Sequence, residues 1–111
     1  MKYKINKPSR KFVVGKSKIM LSDAASIYLK PDEQVTFKDE RGAEYDVCRK
    51  TWGYYATPSI NGRLKNFGFK TVIVQNKQTE MLYIMLVNEE MMDPFEEYLS
   101  NEDLFVVKWM S

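Results

Sequence analysis

Alternation of apolar and polar residues is clearest between positions 34 and 50. In Gln34–Lys38, Val35 and Phe37 alternate with polar residues, and Glu44–Lys50 alternates in the same way. The residues between the two runs end in Gly42, which can adopt the positive φ of a tight turn. A period of two is typical of strands with one buried and one wet face, so the pattern predicts a β-hairpin.

Shorter apolar runs predict further strands. Met81–Val87 is apolar at every position, which is typical of a strand buried on both faces, so we expect it to lie at the centre of a sheet. Lys70–Gln75 and Glu80–Val87 are predicted to form a second hairpin around the turn at residues 76–79. The remaining strand candidates are Phe12–Val14, Lys18–Leu21, Ser26–Leu29, the segment from Trp52 to Ala56, and Leu104–Met110.

Two segments have the apolar spacing of short helices. Ile60, Leu64 and Phe67 lie at i, i+4 and i+7, which predicts a helix over residues 60–66. Ser59 is its expected N-cap, and Gly68 follows it where a C′ glycine belongs.

A second helix is predicted over residues 94–100. Asp93 is its expected N-cap, Pro94 fits the first helical position, and Glu96 completes a capping-box pattern. Together the elements predict an α+β fold with one antiparallel or mixed sheet, and closure of that sheet into a barrel is the alternative. We expect a basic flexible arm over residues 1–11 and a single domain over residues 12–111.

Composition excludes several kinds of site. The chain of 111 residues has no histidine and one cysteine, so Ser-His-Asp and Cys-His catalysis, His-ligated zinc and intrachain disulfides are excluded. We therefore expect a non-enzymatic protein with no cofactor and no metal site. The basic N-terminus lacks an apolar export segment, so we expect a cytoplasmic protein that is not bound to a membrane.

The net charge of +2 conceals two oppositely charged ends of the chain. Residues 1–20 contain seven lysines and arginines and no acid, whereas residues 89–103 contain seven acids and no base. The simplest interpretation is two solvated faces. The alternatives are a basic arm for an anionic partner, or head-to-tail pairing of two chains.

The segment from Thr51 to Lys70 is the strongest candidate for a binding site, because it combines aromatic and basic residues and contains no acid. A helix beginning at Ser59 would leave its N–H groups available to an external anion, which Arg63 could grip. The predicted ligand-binding residues are Trp52, Tyr54, Tyr55, Thr57, Ser59, Asn61, Arg63 and Lys65. The structural alternative is a capped helix with solvated cations and aromatic residues in the core.

Three functional hypotheses follow from these features. The first is a binding or accessory protein for an anionic small molecule, such as a nucleotide sugar, or for an acidic patch on a protein partner. The second is a nucleic-acid-binding module that uses the basic arm and the aromatic residues. The third is a homodimer joined by sheet edges or by its basic and acidic ends.

Residues 18–110 also resemble a family of small bacterial proteins of uncharacterised function. The resemblance rests on LKPDEQVTF, on EYDVCRKTWGYYATPSINGRLKNFGFKT and on the ending FVVKWM. The family carries a similar WG-[FY]-YATPS-NGRL-FGF stretch and is associated with genes for surface-glycan synthesis. The resemblance implies an accessory role in glycan assembly and supplies no catalytic residues.

Overall fold

Eight strands in three separate antiparallel sheets make up most of the protein. The computed structural model describes residues 1–111, of which 54% lie in strands, and two short helices complete it. The α+β class is therefore confirmed. The predictions of one sheet and of a barrel are wrong, because the strands divide among three sheets and each sheet is open.

The chain forms two compact units, Met1–Thr57 and Pro58–Ser111. We call them the N-terminal and C-terminal units and describe each by itself. The predicted domain boundary at residue 12 stays a prediction.

Strands β1 (Lys2–Val14) and β2 (Ile19–Tyr28) pair only with each other and form a long two-stranded ribbon. The composition of residues 1–11 predicts a flexible arm, but residues 2–11 belong to β1. Pairing with β2 explains the difference. The two strands predicted at 18–21 and 26–29 merge into the single strand β2, which is long enough to pair with β1 along most of its length. The register shifts between Ile5 and Arg10, and the Lys7–Pro8 peptide bond in this interval is cis.

The other sheet of the N-terminal unit consists of β3 (Gln34–Lys38), β4 (Glu44–Lys50) and β5 (Gly53–Ala56), in that order. The predicted hairpin is confirmed at both ends of both strands. Gly42 adopts a φ of 82°, as its place in the turn requires. We call this sheet the middle sheet.

The buried residues of β4 are Asp46 and Cys48 rather than the larger Tyr45 and Val47. Asp46 is only 2% exposed and accepts a short hydrogen bond from the hydroxyl of its cross-strand neighbour Thr36. One face of β4 is thus more deeply buried, as the alternation predicts. This face carries Asp46 and Cys48 rather than the larger hydrophobic side chains. The hydropathy of Tyr45 and Val47 would instead predict burial of the opposite face.

The C-terminal unit is built on β6 (Phe69–Asn76), which pairs with β7 (Leu82–Asn88) on one side and β8 (Leu104–Trp109) on the other. The predicted hairpin of β6 and β7 is confirmed. The prediction that Met81–Val87 is the central strand is wrong, because β6 is central and β7 is an edge. We call this sheet the C-terminal sheet.

The core of the C-terminal unit lies between this sheet and helix α2 (Met92–Asn101). Val72 and Val74 are 0% exposed and cluster with the helix residue Leu99. The prediction that Asp93 is the N-cap of α2 is wrong, because Asp93 lies within the first turn of the helix. The chain instead enters α2 through a 3₁₀ turn, Glu89–Met91. The Glu90 N–H at the start of this turn donates to the side chain of Asn88.

Helix α1 (Arg63–Asn66) is shorter than the predicted helix over 60–66. Gly68 lies just beyond its C-cap, has a φ of 82° and occupies the C′ position as predicted. The Gly68 N–H donates to the Lys65 carbonyl at 2.9 Å, and the Gly68 carbonyl accepts the Glu89 N–H at 2.9 Å. The backbone of one residue therefore closes the end of α1 and holds the start of the 3₁₀ turn.

Candidate functional site

The eight predicted binding residues are divided between the two units. Trp52, Tyr54, Tyr55 and Thr57 belong to the N-terminal unit, and Ser59, Asn61, Arg63 and Lys65 belong to the C-terminal unit. The first four lie in the edge strand β5 of the middle sheet or directly beside it in the chain. The last four surround helix α1.

The three aromatic side chains near β5 are exposed, so the structural alternative that places them in the core is wrong. Trp52 is 70% exposed, and its ring stacks on that of Tyr55 with the centroids 6.0 Å apart and the planes 23° from parallel. Tyr54 pairs with Arg49 and Tyr55 with Cys48, so the two tyrosines point to opposite faces of the sheet, as predicted. The stacked pair offers a flat apolar surface to solvent.

Thr57 has a structural role at the end of the middle sheet. Its N–H donates to the backbone carbonyl of Asp46 at 3.0 Å, and the residue is half-buried. The carboxylate of Asp46 is held by Thr36 on the same strand pair. Sequence reasoning did not select Asp46, and its one sequence signal is the threonine that lies opposite it in the hairpin.

Ser59 is not the N-cap of α1, so the capped helix start on which the predicted anion site depends is absent. The helix begins at Arg63, Gly62 precedes it, and no side chain caps it. The N–H groups of Gly62 and Leu64 donate to the Ser59 carbonyl at 3.3 and 3.1 Å, so they are not available to a ligand. A helix of one turn also has too few aligned peptides for a substantial dipole.

Asn61, Arg63 and Lys65 are exposed around this short helix, while Leu64 anchors it with only 2% exposure. The expectation that Arg63 and Lys65 are solvated is thus in line with their exposure.

The cations near the aromatic pair are held by neighbours. Lys50 lies 2.5 Å from the carboxylate of Asp32, and this hydrogen bond raises the pKa of Lys50. The guanidinium of Arg49 donates to the Leu29 carbonyl at 2.8 Å. The cations available for a partner in this unit therefore lie mainly on the ribbon.

The ribbon has two unlike faces, because residues paired across antiparallel strands point to the same side. One face, which we call the basic face, carries three lysines and their polar or aromatic partners. Its members are Lys2, Lys4 and Lys11, paired with Tyr28, Ser26 and Ser22, together with the pair Val13 and Met20. Sequence reasoning found the cations but could not place them on one face, because it did not predict the pairing.

The other face, the apolar face, is exposed although most of its residues are hydrophobic. It comprises Tyr3, Ile5, Phe12 and Val14, paired with Ile27, Ala25, Leu21 and Ile19. One ion pair interrupts it, with Arg10 2.9 Å from the carboxylate of Asp23. The Arg10 guanidinium also lies over the ring of Phe12, 5.3 Å from its centroid. The ribbon is thus amphipathic across its thickness.

The two units differ in charge. The N-terminal unit contains twelve lysines and arginines against seven acids, whereas the C-terminal unit contains five against eight. Within the N-terminal unit the excess is concentrated in the ribbon, where Asp23 is the one acid among seven cations. The boundary between Thr57 and Pro58 therefore separates a basic unit from an acidic one.

One cleft of about 270 Å³ lies in the C-terminal unit, at the end of the sheet near the turn between β6 and β7. Gln75, Asn76, Lys77, Glu80 and Phe105 line it. None of the predicted binding residues contributes to this cleft.

Comparison with protein-family models, with curated proteins and with solved structures finds no match for the chain. Neither helix has the length and apolar character needed to cross a membrane. The resemblance to the glycan-associated family stays a prediction.

Proposed function

We propose that the protein is a non-enzymatic binding protein that recognises nucleic acid through its N-terminal unit. The observation that carries the proposal is the ribbon, a two-stranded antiparallel structure with lysines gathered on one face. Its longer strand has 13 residues and so spans roughly 40 Å at about 3.3 Å per residue. Such a ribbon matches a long polyanion better than a compact ligand.

Electrostatics support a nucleic acid partner. Lysines spaced along an extended face can each approach a phosphate, and release of the counterions from those phosphates would provide most of the affinity. A two-stranded ribbon also fits the major groove of a duplex. The basic N-terminal unit would hold the partner, while the acidic C-terminal unit would repel it.

The exposed aromatic pair supports single-stranded nucleic acid in particular. Trp52 and Tyr55 present stacked rings to solvent within the same unit as the ribbon. Stacking of a base on an aromatic ring is worth about 1–3 kcal/mol, and every base can provide it. We therefore expect single strands to bind at least as tightly as duplexes.

A small anionic ligand is less well supported. Such a ligand needs donors that converge on one point, and the helix start at Ser59 was the predicted source of them. The N–H groups of Gly62 and Leu64 donate to the Ser59 carbonyl instead. An acidic protein partner, an accessory role in glycan assembly and a cytoplasmic location stay predictions.

Fluorescence anisotropy with labelled 20-nucleotide single strands of RNA and DNA, at 50 to 300 mM salt, tests the proposal. The double variant Lys4→Ala/Lys11→Ala should bind more weakly and should lower the slope of log K against log[salt] by up to about 1.4, since each phosphate contact contributes about 0.7. The matched control is Lys77→Ala/Lys108→Ala, which removes two exposed lysines from the C-terminal unit and should keep the slope.

Absence of binding by the unaltered protein at 50 mM salt would overturn the proposal, and so would an equal loss in the two double variants. A thermal-shift panel of nucleotide sugars and inorganic phosphate is the companion experiment. Stabilisation by one of these small anions, without binding of nucleic acid, would support the small-ligand hypothesis instead.

A further inference from the structure

Strand β7 is an unprotected edge of the C-terminal sheet. It pairs with β6 on one side and with no strand on the other, and the run from Met81 to Asn88 contains no charged residue and no proline. Ile84, in its middle, is 74% exposed, and its neighbour Leu82 is 61% exposed. An apolar, uncharged edge is a template for pairing with another strand.

The opposite edge of the same sheet is protected. Strand β8 carries an exposed lysine, Lys108, and its register with β6 shifts between Ile73 and Val74. A charge and a register irregularity are two of the features by which natural sheets prevent pairing at an edge. The two edges of one sheet are therefore unlike, and β7 is the edge left open.

The hydrogen-bonding direction of β7 follows from its two ends. The Asn76 N–H of β6 donates to the Met81 carbonyl at 2.9 Å, and the Glu89 N–H donates to the Gly68 carbonyl at 2.9 Å. The backbone groups of successive residues in an antiparallel strand point alternately to its two sides. The backbone groups of the odd-numbered residues of β7 therefore form hydrogen bonds with β6. The backbone groups of Leu82, Ile84 and Leu86 consequently point to the open edge.

We propose that β7 pairs with β7 of a second copy of this chain, antiparallel and centred on Ile84. In this register Ile84 lies opposite its own equivalent and Leu82 lies opposite Leu86 of the second copy. The two C-terminal sheets then join into one sheet of six strands. The apolar side chains that each copy exposes on this strand become cross-strand neighbours.

Charge favours a second copy as the occupant of this edge. The register centred on Ile84 places Glu80 opposite Asn88 and Glu89 opposite Thr79, so no acid faces an acid. A register centred on Met85 would place Glu80 opposite Glu90, which like-charge repulsion disfavours. The strand thus complements itself in apolar character and in the placement of its flanking acids. This proposal does not depend on nucleic acid binding, which involves the other unit.

Sedimentation equilibrium of the full chain between 1 and 300 µM tests the proposal. The unaltered protein should form a dimer within this range. Ile84→Lys should raise the dissociation constant at least tenfold, because it places two lysines directly opposite each other across the pair. The matched control is Val107→Lys on β8. Val107 is, like Ile84, an exposed β-branched residue on an edge strand, and this variant should dimerise like the unaltered protein.

Amide hydrogen exchange supplies a second measurement that does not need a variant. The amides of Leu82, Ile84 and Leu86 should become protected as the protein concentration rises, whereas those of Tyr83 and Met85, which face β6, should be protected at every concentration. A monomer up to 300 µM, a dimer that Ile84→Lys leaves intact, or outward amides that exchange equally fast at all concentrations would each overturn the proposal.

Discussion

The ribbon and the C-terminal sheet have similar strands and different burial. Both are antiparallel, and both carry a face rich in Val, Ile, Leu and aromatic residues. In the C-terminal sheet that face lies beneath α2, and Val72 and Val74 are fully buried. In the ribbon the corresponding face is open, and Phe12 and Leu21 are exposed.

The difference teaches that an apolar face becomes a core only when a second layer covers it. A third strand and a helix complete the C-terminal sheet, whereas the ribbon has two strands and no helix. An isolated two-stranded hairpin is marginally stable in water. The apolar face of the ribbon therefore has most to gain from a partner, whereas the corresponding face of the C-terminal sheet is already covered by α2.

Amide exchange should show the largest difference between the two regions. The hydrogen-bonded amides of β1 and β2 should exchange at least about 1,000-fold faster than those of β6, a difference of about 4 kcal/mol in opening free energy. Mass spectrometry of the exchanging protein at neutral pH provides the measurement. Equal protection of the two regions would show that the ribbon is covered in solution.

Matched valine substitutions test the same difference through stability. Val74→Ala should lower the free energy of unfolding by about 2–3 kcal/mol, from lost burial and a residual cavity. Val14→Ala, on the apolar face of the ribbon, should cost less than about 1 kcal/mol because Val14 is already 36% exposed. Urea denaturation measures both values. Similar costs at the two sites would contradict an open ribbon face.

The entry to the covering helix can be weakened separately. Asn88→Ala removes the side chain that accepts the Glu90 N–H at 3.0 Å, and it should destabilise the C-terminal unit by about 1 kcal/mol. Ser59→Ala is the comparison, because the sequence predicts a cap there and the structure has none. We expect it to change the free energy of unfolding by no more than a few tenths of a kcal/mol, and a cost equal to that of Asn88→Ala would restore Ser59 as a cap.

The smallest effect concerns the contact that holds the N-terminus of the ribbon. The Lys30 N–H and the amino group of Met1 both donate to the Glu33 carboxylate, and together they lower its pKa below 4.5. The resulting stabilisation is present above pH 4.5 and is lost as the pH falls through the lower pKa of the folded state. Glu33→Gln should therefore melt slightly below the unaltered protein near pH 7, and the gap should close in acid. A gap that is constant from pH 7 to pH 2 would contradict this expectation.

Much of the β structure could be predicted from the sequence, because local patterns determine it. The hairpin of β3 and β4 is set by two alternating runs around Gly42, and its bounds are as predicted. Gly68 ends α1 as predicted, since a C′ glycine is a local signal.

The errors concern partners that are distant along the chain. Met81–Val87 reads as a central strand, but sheet order depends on where β8 pairs, and β8 lies across a helix from β7. Ile60 has helical spacing with Leu64, but the helix needs caps and length to extend that far, and it has neither. Burial of Asp46 depends on a hydroxyl across the hairpin, which hydropathy does not register.

The candidate site shows the same limit. Composition located the aromatic and basic residues, and the exposure of Trp52 and Arg63 is compatible with binding. The two faces of the ribbon follow from its register, which no local pattern predicted. The basic face could therefore be recognised only once the pairing was known.

The single residue Gly68 gives the C-terminal unit a mechanical link between segments 21 positions apart. Its N–H belongs to the end of α1, and its carbonyl belongs to the start of the turn that leads into α2. A side chain at Gly68 would strain a backbone with a φ of 82°, and the strain would be felt at both helices together. The two helices are thus expected to loosen as one cooperative element, although neither follows the other directly along the chain.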